Sequence, residues 1–169
     1  MKSFWIINLV LFQASWVAAA FYTDYASIII ALLIVLHCLL SPSRAADMKL
    51  LILMGPGIVV DILHMQLGTF SAGNALFPVW LVLLWCIFLM SLNHSLRWLT
   101  DKPLYWAAVF GGVGGTSSYI GGIKTGALTT TMPLELAAVA LACSWALLFP
   151  LLIFAYRFLN SNGRYTEDL

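Results

Sequence analysis

The residues best able to do chemistry in this sequence fall into two groups. In the first, Asn93, His94 and Arg97 lie within five residues of one another. Spacings of three and four share a helix face, so we expect these side chains to point together, with Asn8 and His37 at the same depth in other helices. This layer predicts a ligand pocket in which Arg97 binds phosphate or carboxylate oxygens. The alternative is that these polar groups join helices through hydrogen bonds.

The second group is the pair Asp61 and His64, which are three residues apart and therefore neighbours on one helix face. An ionisable residue within a membrane span is a functional candidate by default, because its insertion is costly. The pair could act as a proton relay or as a general acid and base. The alternative is a buried polar pair that fixes helix packing.

The sequence contains no complete catalytic motif, so whether the protein is an enzyme stays open. There is no nucleophile elbow, no HExxH sequence and no histidine-rich box of the membrane desaturase type. Cys38, Cys86 and Cys143 lie apart in apolar runs, without a CxxC pair or a histidine at metal-ligand spacing. This pattern is typical of small hydrophobic filler residues. We therefore expect no metal site and no cofactor.

Transmembrane helices must position these residues. Of the 169 residues, 62% are hydrophobic and 9% are charged, whereas soluble domains carry about 25% charged residues. This composition excludes a soluble enzyme, a nucleic-acid-binding protein and a secreted disulfide scaffold. Because a spanning helix needs about 20 apolar residues, six apolar runs predict an all-α, six-helix transmembrane bundle with short loops. It forms one domain, residues 1–159, with helices at about 4–22, 25–40, 50–67, 76–93, 104–123 and 134–158.

The distribution of basic residues predicts the orientation of the bundle. With the N-terminus in the cytoplasm, Lys124 is the one basic residue outside, which fits the positive-inside rule. Six helices place both termini inside, with residues 160–169 as a polar cytoplasmic tail. The start of the chain also resembles a cleaved signal peptide, but polar residues such as Asn8 and Gln13 favour a retained first helix. The predicted inside set is Lys2, Arg44, Lys49, Arg97, Lys102, Arg157 and Arg164.

Prolines and glycines predict departures from regular helix packing. Pro56, within the Gly55-Pro56-Gly57 sequence, and Pro150 should interrupt the third and sixth helices, because each proline removes a helical hydrogen bond. In the fifth helix, small residues recur at four-residue spacing and predict close helix contacts, within the fold or between subunits. These pairs are Gly111 with Gly115 and Gly122 with Gly126. The deep residues Trp16, Trp85 and Trp145 could line a cavity or fill gaps in the bundle, and we expect them to fill gaps.

Three stretches carry a resemblance to a known family: residues 8–16 (NLVLFQASW), 92–99 (LNHSLRWL) and 145–150 (WALLFP). Together with the glycine-rich segment around Tyr119 and the position of Asp61, they resemble a small bacterial family catalogued as domain of unknown function 2878. The resemblance covers essentially the whole chain, and the residues at 93–99 are its most specific element. It implies a multi-pass protein of the bacterial inner membrane and carries over no activity, cofactor or catalytic residue.

Three functions are compatible with these observations. The best interpretation is lipid or fatty-acyl handling at the cytoplasmic leaflet, with Arg97 near an anionic headgroup. A scaffold or accessory subunit of a membrane lipid-modifying enzyme would explain why no catalytic motif is visible. A small-solute or proton-coupled carrier would use Asp61 and His64, and six helices would then require a dimer. The expected partners are membrane lipids, a membrane enzyme or a second copy of the chain, and not nucleic acid.

Overall fold

The described part of the chain folds into helices and their connections. The computed structural model describes residues 4–73 and 77–161. The helices are α1 (Phe4–Phe21), α2 (Thr23–Leu40), α3 (Arg44–Lys49), α4 (Met54–Gln66), α5 (Val79–Ser91), α6 (Arg97–Thr100), α7 (Leu104–Thr125) and α8 (Leu134–Ser161). Helix α3, a 3₁₀ turn at Leu50–Leu53 and α4 form one apolar rod from Arg44 to Gln66. This rod, α1, α2 and α8 are each long and apolar enough to cross a membrane.

The observed helices differ from the predicted ones mainly at their ends. The rod begins at Arg44, upstream of the third predicted helix, and α5 spans only Val79–Ser91. Helix α8 continues to Ser161, so the first two residues of the predicted tail belong to a helix. The rest of that tail, including Arg164, lies outside the described residues, as does Lys2.

The prediction of a break at Pro150 was wrong, because α8 runs unbroken through it. One proline removes one backbone hydrogen bond, and a helix held against its neighbours tolerates that loss. Pro56 lies in the first turn of α4, where N–H groups have no acceptor within the helix and proline costs little. The departure from α-helical geometry comes just before it, in the 3₁₀ turn.

Helix α5 is the centre of the bundle and is covered by α1, α2 and the Arg44–Gln66 rod. It is apolar on all sides, which is typical of a helix buried by other helices. Its 13 residues extend about 20 Å, whereas a bilayer core is about 30 Å thick. By contrast, α2 leaves an apolar stripe uncovered, suited to contact with lipid. That stripe consists of Ile28, Leu32, Val35 and Leu39.

The small residues of α7 pack against α8. A Cβ atom added at Gly115 would overlap the indole of Trp145, and one at Gly111 would lie 2.6 Å from Phe149 Cβ. These glycines therefore allow two bulky side chains of α8 to reach the backbone of α7. The predicted Gly122 and Gly126 pair behaves differently, because Gly126 has a φ of +86° and ends α7 as its C-cap residue.

The two ends of the bundle are built differently. At the end that we call the Asp47 end lie the start of α1, the α2–α3 turn and the α5–α7 connection. At the opposite end, the α4–α5 and α7–α8 loops pair through reciprocal backbone hydrogen bonds of 2.8 and 2.9 Å between Ser71 and Thr129. Phe70, fully buried beside this pair, fills the space below the loops.

We expect Gly115→Ala to destabilise the protein by about 1–3 kcal/mol, because its methyl group would displace a ring already packed in the core. Gly112→Ala is the matched control on the same helix, since its Cβ would find the nearest atom at an ordinary 3.5 Å. It should be neutral or gain up to about 1 kcal/mol from helix propensity. Thermal unfolding in detergent, followed by circular dichroism, measures both. Equal stability of the two variants would contradict this packing.

Candidate functional site

A buried carboxylate, Asp47, organises the polar residues at its end of the bundle. Asp47 and His37 are both completely buried. The polar side chains around Asp47 come from three other segments: α1, the end of α2, and the turn after α5. We call this group the Asp47 cluster, and it consists of Asn8, His37, Ser41, Asp47, Asn93, His94 and Ser95.

Asp47 is the acceptor at the centre of the cluster. Its Oδ1 lies 2.8 Å from Asn93 Nδ2 and 2.9 Å from His94 Nε2. Its Oδ2 lies 3.1 Å from His37 Nε2 and accepts a 2.5 Å hydrogen bond from the Ser41 hydroxyl. A carboxylate removed from water needs donors of this number to offset its lost hydration. Two other chain segments, the end of α2 and the turn after α5, are therefore tied to one acidic side chain.

Asn8 sets the orientation of the His37 ring. Its Oδ1 accepts from the Ser95 backbone N–H at 3.1 Å and from the Ser95 hydroxyl. Its Nδ2 consequently faces His37 Nδ1 at 3.5 Å. Since an amide nitrogen can only donate, this arrangement favours a ring with its proton on Nε2, where it is donated to Asp47. The side chain of Phe4 packs edge-on against the His37 and His94 rings, with centroids 5.4 and 4.7 Å away.

The cluster has two features that the sequence analysis did not identify. No metal site is predicted from the sequence, and His37, Asp47 and His94 bring three potential ligand atoms within 4.8 Å of one another. Asp47 was not among the candidate residues, because in the sequence it stands in a loop between Arg44 and Lys49 and has the pattern of an ordinary surface charge.

The predicted helical face of Asn93, His94 and Arg97 does not form. Helix α5 ends at Ser91, and the chain turns through residues 92–96 before α6 begins at Arg97. The Ser95 N–H bonds to Asn8 instead of to a helical carbonyl. Asn93 and His94 therefore point to Asp47, whereas Arg97 is exposed.

Arg97 lines a cavity of about 780 Å³ at the Asp47 end, which we call the Arg97 cavity. Asn93 and His94 lie in its wall, so part of the Asp47 cluster faces this space. Hence the three predicted neighbours do line one cavity, through a turn and not through a helix face. The other walls come from the start of α1 and from Pro42 and Ser43.

The second candidate group is split by the structure. Asp61, almost fully buried, accepts hydrogen bonds from Trp85 Nε1 at 2.7 Å and from the Tyr119 hydroxyl at 2.6 Å. His64 Nε2 instead lies 2.8 Å from the Ser144 hydroxyl, and its ring stacks on Phe70. The observed partners of Asp61 and His64 are thus different, and this arrangement joins helices.

Glycines make room for two tryptophans that stack beside Asp61, one of which, Trp85, is its hydrogen-bond donor. Trp85 and Trp145 stack with ring centroids 5.3 Å apart and an interplanar angle of 4°. Gly57, one turn before Asp61, allows the ring of Trp85 to lie against α4, since a Cβ there would overlap it. Gly115, one turn before Tyr119, does the same for Trp145. On each helix, a glycine and the polar residue four positions later share one face.

An apolar cavity of about 530 Å³ lies between α1, α5 and α7, and we call it the α1–α7 cavity. Exposed residues, Gln13, Gly114 and Ser117, belong to its lining, so it opens onto the surface of the bundle. Contrary to expectation, the deep tryptophans do not simply fill gaps, because all three line this cavity. Its aromatic walls include Phe12, Trp16, Trp85, Phe88, Tyr119 and Trp145.

The chain matches, over residues 5–151, the family described as "Protein of unknown function (DUF2878)". Since the match covers most of the 169 residues, the chain belongs to this family, and the resemblance noted from the sequence is confirmed. No curated protein and no solved structure matches it.

We expect Asp61→Leu to cost about 2–4 kcal/mol of stability, because two buried donors, Trp85 Nε1 and the Tyr119 hydroxyl, would lose their acceptor. Asp61→Asn should cost about 1 kcal/mol or less, since its Oδ1 can accept from Trp85 while the Tyr119 hydroxyl turns to accept from Nδ2. Unfolding in detergent, followed by tryptophan fluorescence, compares the two variants. A similar loss in both would mean that the negative charge, and not hydrogen-bond satisfaction, holds this region together.

Proposed function

We propose that this DUF2878 protein is a multi-pass membrane protein that holds a lipid or long acyl chain in the α1–α7 cavity. The observation that carries the proposal is the shape and lining of that cavity. Along α7 its wall runs from Phe110 to Gly122, about 18 Å at 1.5 Å per residue. One leaflet of a bilayer core is about 15 Å deep, so the cavity matches the length of an acyl chain.

The size and chemistry of the cavity also suit such an occupant. Ligand sites are commonly about 300–1,000 Å³ and lined mainly by apolar and aromatic side chains, and this one measures about 530 Å³. Polar groups are few at its wall, and the Trp16 indole N–H is already bonded to the Ser118 hydroxyl at 2.8 Å. An uncharged hydrocarbon chain would therefore leave little polar surface unpaired.

A headgroup would lie toward the Asp47 end. Leu96 and Trp98 line both the α1–α7 cavity and the Arg97 cavity, so the two spaces are neighbours. Arg97 is exposed between them, and a guanidinium binds two oxygens of a phosphate or carboxylate through paired N–H donors. The proposed ligand is therefore an anionic lipid or fatty acid, with its chain between α1 and α7.

The proposed topology has six crossings, with the Asp47 end in the cytoplasm and both termini there. In the described ranges, five basic residues lie at the Asp47 end and Lys124 lies at the other, which supports this orientation. Helices α5 and α7 would complete the six crossings, α5 being shielded from lipid by its neighbours. The bacterial inner membrane is the location that this topology favours.

Filling the cavity should expel its occupant. A Cβ at Gly114 would meet no atom within 4 Å and would point toward the cavity space, so Gly114→Leu can occupy that volume without disturbing packed neighbours. Gly55→Leu is the matched control, since Gly55 is also helical, exposed and free of neighbours but lies outside the cavity. Native mass spectrometry after gentle extraction should show bound lipid in the wild type and in Gly55→Leu, and a severalfold loss in Gly114→Leu. Protein that carries no lipid, or a second chain that covers the opening, would contradict the proposal.

Removing the guanidinium should change which lipids are retained. We expect Arg97→Gln to reduce the bound fraction of anionic lipid relative to zwitterionic lipid by about tenfold. One charge-assisted hydrogen-bonded contact contributes about 1.4 kcal/mol, which corresponds to a tenfold change in affinity. Arg44→Gln is the control at the same end, because Arg44 bonds to the Leu39 carbonyl and lies outside both cavities. Lipid extracted from each variant is quantified by class. An unchanged ratio in Arg97→Gln would place the headgroup elsewhere.

A further inference from the structure

In the Asp47 cluster, two imidazoles are directed at one buried carboxylate, and these three groups are also a set of metal-binding side chains. We propose that His37 Nε2, His94 Nε2 and the Asp47 carboxylate bind a divalent transition-metal ion. This proposal does not depend on whether the α1–α7 cavity holds a lipid. Two imidazole nitrogens and one carboxylate oxygen suit zinc and its neighbours in the first transition series, whereas calcium and magnesium prefer sites made of oxygen.

The distances to the carboxylate are close to those of such a site. In a tetrahedral zinc site with bonds of about 2.0–2.1 Å, ligand atoms lie about 3.3 Å apart. Here Asp47 Oδ2 lies 3.1 Å from His37 Nε2 and 3.0 Å from His94 Nε2, and the three ligand atoms lie within 4.8 Å of one another. Binding an ion would require the two rings to rotate so that their Nε2 atoms converge on it. Three protein ligands leave a fourth position for water or another molecule.

Charge and burial favour a cation at this place. Asp47 is completely buried, and in residues 4–73 and 77–161 its ion-pair partners within 4.0 Å are the two histidines, with no lysine or arginine among them. The negative charge of the carboxylate is therefore met by hydrogen-bond donors and by no lysine or arginine. A divalent ion would more than neutralise that charge while keeping all three side chains bonded.

The surrounding residues would support the ligands. The Ser41 hydroxyl and the Asn93 amide already donate to the Asp47 oxygens, and such contacts orient ligating carboxylates in metal sites. The Arg97 cavity supplies an access route, because His94 and Asn93 lie in its wall. Phe4 covers the two rings on the α1 side and would keep the ion out of contact with lipid.

Asn8 offers a test of which His37 ring nitrogen carries the proton. When Nε2 binds a metal, a neutral imidazole carries its proton on Nδ1, and that proton needs an acceptor. The Asn8 Nδ2 that faces His37 Nδ1 is a donor. In Asn8→Asp, a carboxylate oxygen would face Nδ1 while the other oxygen still accepts from Ser95. Carboxylate acceptors of this kind change metal affinity by about 10–100-fold, so Asn8→Asp should bind zinc more tightly than the wild type.

The experiment uses the full chain in detergent, stripped with a chelator and then titrated with Zn²⁺ alone. We expect the wild type to retain one zinc per chain after dialysis, measured by elemental mass spectrometry. His94→Gln should lower the zinc affinity by more than about tenfold. Loss of a residue that only supports a ligand lowers metal affinity by about 10–100-fold, and His94 is a proposed ligand itself. His64→Gln is the matched control, because His64 is the third of the three histidines and lies outside the cluster. It should bind zinc like the wild type.

Three results would overturn the metal site: a wild type that retains no zinc, equal losses in His94→Gln and His64→Gln, or weaker binding in a folded Asn8→Asp variant. Each would leave the cluster as a set of hydrogen bonds that holds helices together. Circular dichroism of every variant identifies unfolding, and His94→Gln keeps Asp47 bonded to His37, Ser41 and Asn93. Lipid content, measured on the same samples, tests the proposed function separately.

Discussion

A carboxylate buried away from water needs hydrogen-bond donors from the protein itself, and this constraint shapes the Asp47 end of the molecule. The donors around Asp47 come from the end of α2 and from the turn after α5, and α1 supports both through Asn8. His37 and Ser41 are close to Asp47 in sequence, whereas Asn93 is 46 residues away, so the bonds to the turn after α5 close a long loop of chain. The apolar helices can pack in many ways, since their contacts are not directional, whereas Asp47 accepts only one arrangement of these partners.

Asp61 applies the same constraint in the middle of the bundle, with a different result. Its two donors sit on large aromatic rings, and Gly57 on α4 leaves room for one of them, the indole of Trp85. Gly115 on α7 leaves room for Trp145, which stacks on Trp85. Trp85, Tyr119 and Trp145 all line the α1–α7 cavity. The side chains that satisfy the Asp61 carboxylate therefore also form part of the wall of the empty volume beside it.

Much of the fold could be predicted from composition and helix length, because the 9% of charged residues left few ways to fold outside a membrane. The positions of most helices followed from the apolar runs. The site was harder to predict. His37, Asn93 and His94 were identified as residues too polar for their surroundings, but Asp47 stands among basic residues in the sequence. Asp47 is buried because the Arg44–Gln66 rod packs against α5. The residues near Asp47 in the sequence give no indication of that contact. The turn at residues 92–96 was missed for a similar reason, since its stabilising partner is Asn8, far away in the chain.

The paired loops opposite the Asp47 end affect the route by which a ligand could enter the bundle. Ser71 and Thr129 hold the two loops together through backbone hydrogen bonds. Phe70 fills the space beneath them and packs against the Tyr119 ring. A side chain can swing aside in nanoseconds, but parting two main-chain bonds around a buried ring requires local unfolding. On the proposed function, the lateral opening beside Gln13, Gly114 and Ser117 would therefore be an easier entry route to the α1–α7 cavity than the end where these loops pair.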